Sequence, residues 1–256
     1  MEQVRVLQVV TYMGRGGLES MLMNYYRHID REEVQFDFLV HREERGAYED
    51  EIESLGGRIF RMMPVRPWTA GAYRRAIRVF FSEHQEYRIL HAHMSELGLY
   101  AFQEAKRMGI PVRICHAHNA PHGIDLKSPV RWYMKTRMRP YITHRFMCGY
   151  ESGLWLFGSR YRDSFIQMNN AVDAAAFRYD AARRAEVRRM LELPEGSLTV
   201  GHVGRFNYQK NHPFLLRAFA AVRRQEPGAV LLLVGDGSDR PAAETLAREL
   251  HISDSV

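Results

Sequence analysis

Residues 198–211 read LTVGHVGRFNYQKN; a helix-like run follows, and then AVLLLVGDG at 229–237. Residues 198–203 are rich in β-branched and apolar side chains and end at Gly204, the pattern of a buried strand feeding a glycine turn. Arg205 stands directly after that turn and Lys210 directly before the next helix. In α/β folds these are the places where strand ends and helix N-termini face a crevice. A helix start adds free backbone N–H groups and a partial positive charge, so the two cations and the helix mouth together would suit a diphosphate.

Working outward, the same alternation recurs upstream. Residues 4–10 form an apolar run, followed by TYMGRGG and then by LESMLMNYYRHID with apolar side chains at helical spacing. Strands are expected at 36–40, 58–60, 88–93, 111–116, 146–149 and 164–168, and helices at 47–55, 70–84, 96–108 and in ESGLWLFG. Strands alternating with helices of this length imply an α/β fold with a parallel sheet covered on both faces, with ligands at the C-terminal strand ends. Asn169 and Asn170 break the pattern, which places a boundary between domains 1–170 and 171–256. Only two strands and three helices follow that boundary, too few to cover an open parallel sheet. The reading is therefore two Rossmann-like, doubly wound domains, the N-terminal one complete and the C-terminal one partial.

Composition narrows the classes. A chain of 256 residues with 46% hydrophobic content can bury a core in each of two domains. It holds no run of eighteen apolar residues, and MEQ passes straight into VRVLQVV without a signal-peptide layout, so a cytoplasmic location is expected. Cys115 and Cys148 read as reduced thiols. The twelve histidines show neither HExxH nor a Cys/His ligand spacing, so no metal site is expected. The net charge of +6 favours anionic partners. Nucleic acid is not expected among them, since RNP1-like, zinc-finger and basic-heptad patterns are missing.

Four further stretches carry candidate chemistry. MGRGGLES at 13–20 lacks the spacing of the dinucleotide fingerprint, but Gly16 and Gly17 let backbone approach a ligand at a helix mouth, with Glu19 beside them. The alternative is a tight turn with Glu19 favouring the helix start. HAHNAPHG at 116–123 follows a strand; His116 or His118 could carry a proton or bond a sugar hydroxyl, with Asn119 alongside, or bond only to backbone. His91 and His93 repeat the spacing one strand earlier, where Ser95 as an N-cap would account for them without a ligand. Residues 127–145 carry six Lys or Arg and no Asp or Glu. There Arg131, Trp132, Lys135, Arg137 and Arg139 could rest on an anionic membrane face, or form a solvated helix that packs its aromatic side inward and is limited by Pro140.

Taken in order, EVRVLQVV, GGLESMLMNYYRHID, FDFLV, GIPVRICHAHN, NNAVD and GRFNYQKN resemble the large family of retaining glycosyltransferases with the GT-B fold (family 4, or group 1), of the kind that build bacterial exopolysaccharide or capsule. The resemblance covers the whole chain. It implies transfer of a sugar from a nucleotide diphosphate donor, UDP- or GDP-linked, to an acceptor hydroxyl with retained configuration, without cofactor or metal. It implies that Arg205 and Lys210 contact the diphosphate, that Gly16 and Gly17 border the reacting phosphate, and that His116 or His118 lies near the transferred sugar as the catalytic histidine. A lipid-linked saccharide acceptor and peripheral attachment to the inner membrane face would go with it. The family's pair of glutamates eight positions apart has its bare spacing here at Glu43/Glu51 and Glu96/Glu104, both in the first domain and read as coincidence. A non-catalytic phosphate- or lipid-binding module left by truncation is the alternative. Paired carboxylates flanking a glycosidic bond, as in a hydrolase, are not evident.

Overall fold

The computed structural model describes residues 3–120 and 126–256. They fall into two compact units, Met1–Ala176 and Phe177–Val256.

In the first unit seven strands form one sheet: β1 Val4–Val9, β2 Val34–Val40, β3 Ile59–Arg61, β4 Ile89–Ala92, β5 Val112–Ala117, β6 His144–Met147 and β7 Phe165–Gln167. Their order is β3-β2-β1-β4-β5-β6-β7 and every pairing is parallel. The helices are α1 Gly17–His28, α2 Glu49–Ser54, α3 Ala70–Glu83, α4 Leu99–Arg107, α5 Ser128–Met138 and α6 Tyr150–Phe157. Alternating strand residues bury opposite faces: Phe38 and Val40 pack on Met21, Leu22 and Tyr26 of α1, while Leu7, Leu90 and Cys115 join Tyr73, Ile77 and Phe102 from α3 and α4. The strand order reverses between β1 and β4, and a crevice outside the strand ends is expected at such a point.

A buried carboxylate ties down the opposite end of the sheet. Asp37 on β2 accepts hydrogen bonds from Arg5 (2.6 Å), Arg58 (2.9 Å) and Tyr87 (2.7 Å). Burial alone would push its carboxyl up, but these donors outweigh burial and hold it at about 2. The Arg58 N–H also donates to Asp37 at 2.7 Å, so β3 pairing begins at Ile59 rather than at 58.

Three other expectations shift. Residues 96–108 are not one helix, since a 3-10 turn over Ser95–Gly98 precedes α4. Ser95 has φ +48° and is the first residue of that turn, with Met94 at the N-cap position, so the N-cap account of His93 fails. The boundary near residue 170 lies inside the first unit: Asn24 Nδ2 donates to the Ala171 carbonyl and Tyr25 Oη to the Asn169 carbonyl, each at 2.8 Å, which fastens this segment to α1.

The second unit runs α7 Ala181–Met190, β8 Thr199–Val203, α8 His212–Gln225, β9 Val230–Val234 and α9 Arg240–Glu249. β8 and β9 pair in parallel, and Leu216, Phe219, Leu231, Ala243 and Ala247 form the core. Among the described residues no helix is long and apolar enough to cross a membrane.

Candidate functional site

Four histidines converge at the C-terminal ends of β4 and β5. Register explains it: His91 pairs with Ile114 and Ala92 with Cys115, so the two HAH segments leave the sheet side by side. His91 Nε2 lies 3.3 Å from His116 Nδ1, and His93 Nδ1 lies 2.9 Å from His118 Nε2. His93 Nε2 meets Gln8 Oε1 of β1 at 2.9 Å. His91, His93 and His116 are buried and His118 is partly exposed, so of the two candidates for a sugar contact His118 is the accessible one. Burial drives His91 down to about 3, His116 to about 2 and His118 to about 4, with His93 also well below its ordinary value. The cluster is therefore neutral at pH 7.

Other bonds hold the backbone beneath His118. Ser152 Oγ donates to the Ala117 carbonyl at 3.0 Å, and Cys148 Sγ sits 3.2 Å from the His118 carbonyl. Both cysteines are free, and Cys115 is buried in the core. Asn119 is exposed beyond His118, whereas His122 and Gly123 lie outside the described residues. Ligand atoms of His91, His93 and His116 all fall within 4.8 Å of one another, an arrangement able to hold a metal ion that the sequence spacing did not suggest.

Gly16 is the extended N-cap of α1 and has no side-chain capping bond. A Cβ at Gly16 would run into the Glu19 carboxylate, whereas Gly17 is open, with nothing within 4 Å of its Cβ position. Thus Glu19 folds its charge over the mouth of α1, where a carboxylate is stabilised. Beyond the ends of β1 to β3 lies a cavity of ≈ 750 Å³ whose lining includes Thr11, His41, Arg42, Arg61 and Arg66.

The second unit carries its candidate groups on the loop after β8. Asn207 accepts from the Lys210 N–H and Asn211, at φ +47°, accepts from the Phe214 N–H, so FNYQKN closes into two capped turns ahead of α8. Arg205 and Lys210 are exposed, and a Cβ at Gly204 would lie 3.3 Å from Lys210 Cδ, so the lysine stem folds across the glycine turn. The ion pairs of this unit lie elsewhere, at Asp180–Arg183, Arg223–Asp254 and Arg240–Glu244. His212, buried at the start of α8, stacks on Phe206 with ring centres 4.1 Å apart and so backs the residue next to Arg205.

The basic helix α5 corrects part of the membrane-face expectation. Arg131 lies 3.5 Å from the buried Glu96, Lys135 donates to the Trp155 carbonyl at 2.8 Å, and Arg139 to the Leu156 carbonyl at 3.4 Å. These three, spaced by four, line the inward face of the helix and its extension. Trp132 and Arg137 are exposed.

Comparison with known proteins gives the same answer along most of the chain. Residues 16–149 match the glycosyl transferase 4-like domain model and residues 183–256 the glycosyl transferases group 1 model. The putative glycosyltransferase EpsF of Bacillus subtilis is 32% identical over 99% of this chain and 67% of its own length. A GDP-mannose-dependent phosphatidylinositol monomannoside mannosyltransferase of Mycobacterium tuberculosis is 35% identical over 33% of this chain and 22% of its own. Anabaena Alr3699/HepE, solved in complex with UDP-glucose, superposes with TM-score 0.78 at 15% identity over 99% of this chain and 68% of that one.

Proposed function

Given that this chain belongs to the group 1 (4-like) glycosyltransferases, and is a transferase with the GT-B type of fold, we propose that its donor is a UDP- or GDP-linked sugar bound through the β8–α8 loop. The observation that carries this is the Lys210 stem lying across Gly204 beside the exposed Arg205, one turn ahead of the α8 N-terminus. Two hydrated cations and the positive end of α8 would meet the diphosphate as the glycosidic bond breaks and negative charge collects on the leaving oxygen. In this reading the charge is neutralised without a bound metal. The sugar passes to an acceptor hydroxyl with retention, His118 meets the transferred sugar, and Gly16 and Gly17 border the phosphate. The HepE complex and the name of the mannosyltransferase support a nucleotide-sugar donor, and the likeness to EpsF supports glycosyl transfer; a role in surface polysaccharide synthesis follows from the sequence resemblance alone.

The test is thermal protection. UDP or GDP at about a hundredfold over Kd should stabilise the protein by about 2.7 kcal/mol, and the Arg205→Ala/Lys210→Ala pair should lose that gain. No shift with either nucleotide, or the same shift in the double variant, would sink the donor site.

For the acceptor, the exposed Trp132, Tyr133 and Arg137 on α5 favour a lipid-linked saccharide reached at an anionic membrane face. Sedimentation with phosphatidylglycerol vesicles should carry the protein down at low salt and release it in Trp132→Ala/Arg137→Ala. Equal sedimentation of both proteins would remove this part of the reading.

A further inference from the structure

The histidine cluster contains a chain of bonds with a direction. A carboxamide oxygen carries no proton, so where Gln8 Oε1 meets His93 Nε2 the histidine must donate. A neutral imidazole has one N–H, so when Nε2 donates to Gln8 the Nδ1 of a neutral His93 is left with a lone pair. His118 Nε2, 2.9 Å from that lone pair, must then be the donor of the second bond. In a neutral His118 this leaves Nδ1 unprotonated.

We propose that Gln8 and His93 are positioning residues that fix the ring and the tautomer of His118, so that its Nδ1 is presented as an acceptor for a hydroxyl of the bound sugar. This rests on the reading of His118 as the residue that meets the sugar. Placement supports it at each step. Gln8 is 1% exposed near the C-terminal end of β1, where a buried polar side chain must be satisfied internally, and in the register of β1 with β4 it pairs with His91, two residues before His93. His93 is 8% exposed and His118 is partly open, so the chain runs outward from the sheet to the surface. The bonds to the carbonyls of Ala117 and His118 fix the backbone from which the last ring projects. A fixed tautomer matters because a hydroxyl that donates to Nδ1 meets repulsion if a proton already sits there.

The experiment is a long-range 1H–15N spectrum of the whole chain labelled at histidine, with His118 assigned by its loss in His118→Asn. In the wild type, His118 should carry its proton on Nε2. Gln8→Leu should turn this into a mixture of tautomers, and Gln8→Glu, which keeps an acceptor oxygen, should restore a single one. A wild-type His118 protonated on Nδ1 overturns the proposal whether or not any variant folds, as does a folded Gln8→Leu protein with an unchanged spectrum. So does loss of the His93–His118 pattern at one equivalent of Zn2+, which would make His93 a metal ligand instead. In turnover, Gln8→Leu should lower kcat by about tenfold or more while donor KM stays within about twofold, with Gln8→Glu recovering most of it. UDP-glucose and GDP-mannose serve as probes of the underlying reading. If the tautomer is as stated and neither perturbs His118, the sugar assignment fails and the positioning chain stands.

Discussion

The two units hold their chemistry in opposite ways. In the first, the candidate side chains are inside: three histidines are buried, the fourth is partly buried, and Gln8 bonds to His93 from the sheet. In the second, Arg205 and Lys210 are outside, and what is buried is the apolar support, Phe206 stacked on His212. The difference follows from charge. A neutral imidazole loses little on burial once hydrogen-bonded, so a sheet can pre-position it; a guanidinium or ammonium meant for a diphosphate must stay hydrated until its anion arrives. The first site should therefore be sensitive to protons and the second to salt and backbone crowding.

Mild acid gives the largest test of this contrast. Burial lowers the folded-state value of each clustered histidine below 6.5, so the unfolded chain binds more protons between 6.5 and that lowered value. The stability they contribute is full above 6.5 and is lost as pH falls, by about 1.4 kcal/mol per pH unit for each histidine. Trp68, Trp132 and Trp155 all lie in the first unit, so tryptophan fluorescence follows that unit alone. Its melting temperature should drop steadily from pH 7 to pH 5, and the slope should lessen in His91→Asn. A transition independent of pH over that range would break the comparison. Asp37 contributes in a lower window: its about 2 kcal/mol is present above 3.8 and goes as pH falls toward about 2.

How far this was legible depends on whether a signal was local. Strands β1, β2, β4 and β5 could be read because buried parallel strands are short apolar runs. Residues 198–203, expected to be buried, instead give a half-exposed β8 whose last residue Val203 is 79% exposed, while the cations at 205 and 210 could be read because a glycine turn between strand and helix is a local pattern. The cluster was half visible. HAH occurs twice, each time at a strand end, and a glutamine interrupts VRVLQVV, but only the register of three strands shows that these residues meet. The inward turn of Arg131, Lys135 and Arg139 was available from their spacing by four, which puts them on one helix face; counting charges along the segment hid it. Ser95 misled because it takes a positive φ inside the turn that Met94 begins, and serine carries no local mark of that backbone conformation.

The smallest expected effect compares glycines at the two turns. Gly235 and Gly237 follow β9 and lie against the loop after β8: Gly204 N–H donates to the Val234 carbonyl and Phe206 N–H to the Asp236 carbonyl, at 3.0 and 2.9 Å. A Cβ at Gly235 would overlap the Gly204 carbonyl oxygen, a backbone atom that cannot swing aside. Gly235→Ala should therefore push the Arg205 loop away from β9 and cost the second unit about 1–3 kcal/mol. Gly17→Ala in the first unit meets nothing within 4 Å and should leave stability unchanged. Hydrogen exchange at the amides of β8 and β9 reads the first effect, and the tryptophan melting curve reads the second. If exchange in β8 and β9 were as slow in Gly235→Ala as in the wild type, the loop bearing Arg205 would not depend on that close approach. The contrast between a site pre-positioned by buried side chains and one pre-positioned by packed backbone would then lose its second half.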